Sequence, residues 1–166
     1  MTNKADKIIK FLAYNGKVSV ICADTTNIVE EARKVHDLSP VVTAAFGRIL
    51  TITAIMAIEM KNSKDRLTVQ VRGNGPIGST IVTANNFPML KGYVSEPKVD
   101  LPLNEFGKLD VSGAIGYEGY INVIKDIGLK KANLSYTYTG LDKLYGYSGY
   151  KISCYYMMAR KSLKNG

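Results

Sequence analysis

The 166 residues are 46% hydrophobic and 22% charged, a globular balance that excludes a wholly disordered chain and suits one domain with a single core. The formal net charge of +8, with an isoelectric point of about 9.4, raises nucleic acid or an acidic surface as a partner. Two cysteines, Cys22 and Cys154, neither in a C-x-x-C, do not indicate a disulfide framework and fit a reducing compartment.

The N-terminal stretch has no apolar run followed by a small-residue cleavage site, so no secretory signal is expected. "KIIKFLAY" and "KVSVICA" predict two strands joined by Asn15-Gly16, a two-residue hairpin turn. Cys22 then falls in a core-like strand. Thr25 or Thr26 is placed to cap a helix over "NIVEEARKVH", with Ile28, Val29, Ala32 and Val35 at helical spacing. Glu30 stands four residues before Lys34 on its solvated face. Ser39 as N-cap and Pro40 at the first helical position start a second helix, about residues 40–60, ending near Lys61-Asn62. Arg48 is its only charge between Pro40 and Ile58. Its length would suit a membrane span, but a central Arg and Thr43, Thr51 and Thr53 favour the buried central helix of a soluble protein, so no membrane partner is expected.

"DRLTVQVRG" alternates Leu67, Val69 and Val71 with Thr68, Gln70 and Arg72, the pattern of a half-buried strand. "STIVTAN" and "MLKGYVS" predict two more strands, "SEPKVDLPLNEFGKLD" with Pro97 and Pro102 a loop, and "INVIKDIGL" another strand. Residues 131–166 differ in composition. They hold seven of the eleven tyrosines and six basic residues against one acid, Asp142, a net +5; residues 1–130 carry 16 basic and 13 acidic residues, a net +3.

"RGNGPIGS", residues 72–79, contains Gly73, Gly75 and Gly78 in G-x-G-x-x-G spacing after a strand. A dinucleotide-binding loop needs a helix next, whose N-terminus faces the pyrophosphate. Here β-branched "STIVTANN" follows, Pro76 removes one N–H, and Glu96, the nearest acid at the ribose position, lies in a Pro-containing loop. The stretch therefore predicts a strand–turn–strand corner, and a nicotinamide-dependent enzyme is the weakest functional reading. His36, Asp37 and Ser39 contain the residue types of a hydrolytic triad, but such partners converge from separate elements, so turn and cap roles are expected and catalytic residues are none. His36 is the only histidine, and Asp24, Glu30, Glu31, Asp100 and Asp110 show no metal-ligand spacing.

"HDLSPVVTAAFGRILT", "VQVRGNGPIGSTIVTAN", "KGYVSEPKVDLPLNEFGKLDVSGAIG" and "INVIKDIGLK" together resemble the N-terminal core of the heat-shock-protein-33 family, redox-regulated holdase chaperones of the bacterial cytoplasm. The resemblance covers about residues 5–130, and "GYVSEPKVDLPLNEFGKLDV" is its most specific block. It implies an α+β fold, a layered sheet–helix–sheet core around a buried central helix. It also implies a cytoplasmic stress-response chaperone that binds unfolding client proteins, prevents their aggregation and is not an enzyme. Dimers occur in the family, so a homodimer is one expected state. The family binds zinc through a C-terminal Cys-X-Cys and Cys-X-X-Cys module. Cys22 and Cys154 stand alone, so no zinc or other cofactor is expected in this chain and thiol control would be missing. Residues 1–130 are thus read as a chaperone core, incomplete relative to the family. Residues 131–166 are read as a divergent tail, with a shifted reading frame or truncated gene as a hypothesis. The alternative is a nucleic-acid-binding module in which tail tyrosines stack on bases and lysines meet phosphates. An exposed tail, basic by an accident of frame, is preferred to it. No position can be assigned to client contact from sequence.

Overall fold

The computed structural model describes residues 5–86, 89–128 and 134–139. Ten elements follow in chain order: β1 (Lys7–Ala13), β2 (Val18–Asp24), α1 (Thr26–Val35), α2 (Pro40–Ala57), β3 (Arg66–Gly73), β4 (Ser79–Ala84), β5 (Leu90–Val94), α3 (Val111–Ile115), β6 (Gly119–Asp126) and β7 (Leu134–Thr139). β1 and β2 form a two-stranded antiparallel sheet. The other five form a second antiparallel sheet in the order β5-β4-β3-β6-β7. α2 packs against strands of both sheets and against α1 and α3. The expected α+β sheet–helix–sheet layering is therefore what the chain adopts.

Sequence chemistry explains the layers. The β1–β2 turn closes through the Lys17 N–H to the Tyr14 carbonyl (3.2 Å), with Asn15 and Gly16 between them at positive φ (55° and 84°). That is the mirror-image turn whose twist matches paired strands. In β3, Leu67, Val69 and Val71 are buried and the alternate residues are not. They meet Val42, Ala45, Phe46, Ile49 and Leu50 of α2 in one core with Val82, Val94, Ile121 and Val123. α2 has a mean hydropathy of 1.6, high enough for a membrane span by length and composition, yet 61% of it is buried within the protein. Packing between two layers accounts for its apolarity. Arg48 is exposed, on a less covered stripe.

Several local expectations change. Ser39 holds the N-cap position of α2, but its hydroxyl donates to the Val99 carbonyl (2.6 Å) instead of capping. The 97–99 segment runs past the helix start and also accepts the Ser39 N–H at the Pro97 carbonyl (2.9 Å). Thr25 is the N-cap of α1 without a side-chain cap bond. Its hydroxyl pairs with that of Thr51 (2.7 Å), whose own proton goes to the Gly47 carbonyl (2.8 Å), so Thr25 is the donor. Two carboxylates take over the capping. Asp24 accepts from the Thr26 N–H (3.3 Å), and Asp6 accepts from the N–H groups of Asn27 (2.9 Å) and Ile28 (2.8 Å). Negative charge there also suits the helix dipole. Asp6→Ala should destabilise the chain by about 1 kcal/mol, the usual worth of a helix N-cap, as read by thermal unfolding. The helix α3 was not anticipated; five residues are too few for a periodic pattern, and its one signal is Asp110, whose carboxylate accepts the Gly113 N–H (2.9 Å). α2 stops at Ala57, short of Lys61.

On α1, Glu30 pairs with Arg33 through two hydrogen bonds (2.7 and 2.8 Å) and more loosely with Lys34 (3.5 Å). The Arg33 guanidinium is the main reason that the Glu30 carboxyl is lowered from 4.5 to about 2. A depressed folded-state pKa contributes stability above the unfolded value and loses it as pH falls through the folded one. The pair is exposed, so the contribution is small and salt-sensitive. Glu30→Gln should therefore lower the melting temperature slightly at pH 6, with the difference from the parent chain shrinking below pH 4.5 and gone near pH 2.

Candidate functional site

The glycine-rich stretch forms the corner between β3 and β4, which pair antiparallel from Leu67↔Ala84 to Arg72↔Ser79. Its N–H groups face the protein. Asn74 donates to the Glu118 carbonyl (2.9 Å), Gly75 to Ile115 (2.9 Å), Ile77 to Ala114 (3.0 Å) and Gly78 to Gly75 (3.1 Å). Asn74 Oδ1 accepts from the N–H groups of Tyr117 (3.1 Å) and Glu118 (3.3 Å). The corner is a socket for the α3–β6 connection and leaves no donors aimed at a phosphate.

The triad residues do not converge. The His36 ring packs edge-on against Phe46 at 6.0 Å between centroids. Asp37, at φ 51°, pairs with Lys98 (2.6 Å), and Ser39 serves Val99. Among the described residues no three His, Cys, Asp or Glu side chains group so as to hold a metal ion. Cys22 lies on β2 as expected, but its side chain is exposed and not in the core. It lies opposite Ile9 in a two-stranded sheet none of whose residues is fully buried. Cys154 and nearly all of the basic, Tyr-rich 131–166 lie outside the described residues, β7 being the exception.

What the structure does assemble is uncovered apolar surface. In the β1–β2 register Ile9 faces Cys22 and Phe11 faces Val20, which puts these four side chains on one side of the hairpin. The other side carries Lys10, which reaches Glu59 just beyond α2 (2.7 Å), so the Ile9–Phe11 side points away from the core. Ile9 is 50% and Phe11 47% exposed; Leu12, on the Lys10 side by alternation, and Tyr14 in the turn are more exposed still, so at its turn end the hairpin is uncovered on both sides. Farther along, Asn104 closes a loop by accepting the N–H groups of Phe106 and Lys108 (both 3.0 Å), which leaves Phe106 exposed at its tip. Sequence reasoning missed these surfaces. The available signal was "KIIKFLA", a strand apolar on both faces where one face should be polar.

The described residues thus form an α+β domain with α2 packed against strands of both sheets and apolar side chains left exposed on the hairpin and the 104–108 loop. Comparison with known proteins gives the family. The model of the family described as Hsp33 protein matches residues 6–157. The 33 kDa chaperonin of Caldanaerobacter subterraneus is 50% identical over 127 residues, covering 76% of this chain and 43% of that protein. That of Thermoanaerobacter pseudethanolicus is 48% identical over 126 residues, with the same coverage. The crystal structure of the Thermotoga maritima 33 kDa chaperonin, a heat shock protein 33 homologue, matches with a TM-score of 0.73 at 36% identity over 80% of this chain and 44% of that one. The chain belongs to the Hsp33 family. It spans less than half the length of these relatives, and the family match runs past residue 130, where the resemblance read from sequence stopped.

Proposed function

We propose that these 166 residues act as a holdase: they bind unfolding proteins through apolar surface and keep them from aggregating, without catalysis and in the cytoplasm. The observation that carries this reading is the uncovered side of the β1–β2 hairpin, where Ile9 and Phe11 stand half exposed beside Val20 and Cys22. Contiguous exposed apolar surface on a folded domain marks an interaction site. Burying each such side chain against a client's own apolar groups is worth roughly 1.5–3 kcal/mol before ordering costs. Membership in a family whose relatives are named chaperonins supports it.

Holding by this surface is independent of thiol state. Its apolar contacts with a client call on no thiol chemistry; Cys22 enters the surface only as a neighbour of Ile9. The test is light scattering from a heat-unfolding client with the purified chain and excess reductant. Suppressed aggregation that persists from low to high salt is the expected result. No suppression by a chain shown to be folded by circular dichroism would overturn the proposal. A nucleic-acid partner would instead show affinity falling steeply with salt.

A further inference from the structure

The larger sheet has a second face, and its side chains specify what it would take. α2 packs on the face that carries Leu67, Val69, Val71 and Val82. On the opposite face of β3, β4, β5 and β6 no residue is fully buried. Directly opposite neighbours in an antiparallel sheet share a face, so the register draws rows across it. Tyr93 of β5 shares a row with Gln70 of β3 and Asn122 of β6. Arg72 stands opposite Tyr120 in the row on one side, and Lys91 lies in the row on the other.

Positive charge predominates there. Arg66, Arg72 and Lys91 project on this face of β3 to β6 against one carboxylate, Asp126, which is directly opposite Arg66. Arg72 and Lys91 are exposed, and among the described residues neither forms an ion pair. Tyr93 is 57% exposed, and Tyr120 is half-buried. The two rings belong to strands three spacings apart, roughly 14 Å across the sheet. Between them the Gln70 amide offers both donors and an acceptor.

We propose that this face binds single-stranded nucleic acid, with bases lying flat on Tyr93 and Tyr120 and phosphates meeting Arg72 and Lys91. An open sheet face with aromatic platforms and unpaired cations suits a single strand, because every base has a stacking face and every linkage a negative charge. The Gln70 amide lies where it can meet a base edge. Charge argues against the 131–166 segment as the occupant, since its net +5 is repelled by this face. The sequence points nucleic acid only at that segment; the face is assembled from strands far apart in the chain, so no local pattern shows it. Strand binding stands independently of client holding, which uses the other sheet.

Fluorescence anisotropy tests it, with a short end-labelled single strand of mixed sequence, as RNA and as DNA, titrated with the full chain across a salt series. Binding that weakens with salt is expected, and the ratio of the two affinities says which strand the face prefers. Tyr93→Ala should weaken binding about tenfold, the contribution of one base stack. Arg72→Gln/Lys91→Gln should weaken it at least as much and flatten the log–log salt slope by about 1.4, at roughly 0.7 per phosphate contact. Lys17→Gln/Lys34→Gln removes the same charge from exposed positions on the hairpin turn and α1 and should change little. No binding at low salt overturns the proposal. So does binding that the two double variants weaken alike, which would assign it to the 131–166 segment or to net charge alone. Loss with Arg72→Gln/Lys91→Gln but not with Tyr93→Ala, and with inorganic polyphosphate competing as well as the strand does, would show a site for polyanions in general and equally overturn it.

Discussion

Gly75→Ala is expected to destabilise the chain by about 3 kcal/mol, more than most single substitutions. A Cβ at Gly75 would overlap the Ile115 carbonyl carbon, the Ala114 oxygen and the Gly116 nitrogen, all backbone atoms that no rotamer change can move aside. The corner and the α3–β6 connection are drawn together by the Asn74, Gly75 and Ile77 hydrogen bonds, so relief of the overlap would cost those bonds too. Gly107→Ala is the control. Gly107 has positive φ (67°) but nothing within 4 Å of its would-be Cβ, so only the left-handed backbone cost of about 1–2 kcal/mol applies. Urea midpoints with unchanged slopes would report the difference. Equal losses at the two positions would show that close approach is not the reason for Gly75.

Phe46→Ala should cost about 4 kcal/mol. Phe46 is 1% exposed in the middle of α2, between the His36 ring and Gly92 of β5. Its removal would leave a void next to a hollow under α1, which Phe46 helps to line. Unfolding in urea should show the full loss. A cost below about 1.5 kcal/mol would mean that α1 and β5 collapse into the space, because the penalty scales with the cavity that remains.

The fold was legible wherever one physical rule governed several adjacent residues. Leu67, Val69 and Val71 announced β3 by alternation, and Asn15-Gly16 announced the hairpin because a mirror-image turn needs positive φ. The apolar run from Val41 to Ala57 gave the central helix. The glycine corner was readable because what followed Gly78 was a strand. Misreadings came where a side chain answered to a distant part of the chain. Thr25 and Ser39 occupy cap positions, but their hydroxyls are engaged by Thr51 and by the Val99 carbonyl. The real cap of α1 is Asp6, more than twenty residues upstream, which no local pattern could reveal. Val35 and Cys22 look like core residues by type and spacing; their exposure depends on which layers end above them. The candidate site was illegible for the same reason. A capture surface is apolar sequence left uncovered, and composition is identical for covered and uncovered residues.

The central claim is that the outward side of the β1–β2 hairpin holds clients, and one comparison tests it directly. Aggregation of a heat-unfolding client is followed by light scattering, under excess reductant, with the parent chain and with the double variant Ile9→Ser/Phe11→Ser. Both positions are about half exposed, so the variant should keep its circular dichroism spectrum. The account predicts that the parent chain suppresses scattering and that the variant loses most of this effect. A folded variant that suppresses scattering as well as the parent chain would contradict it.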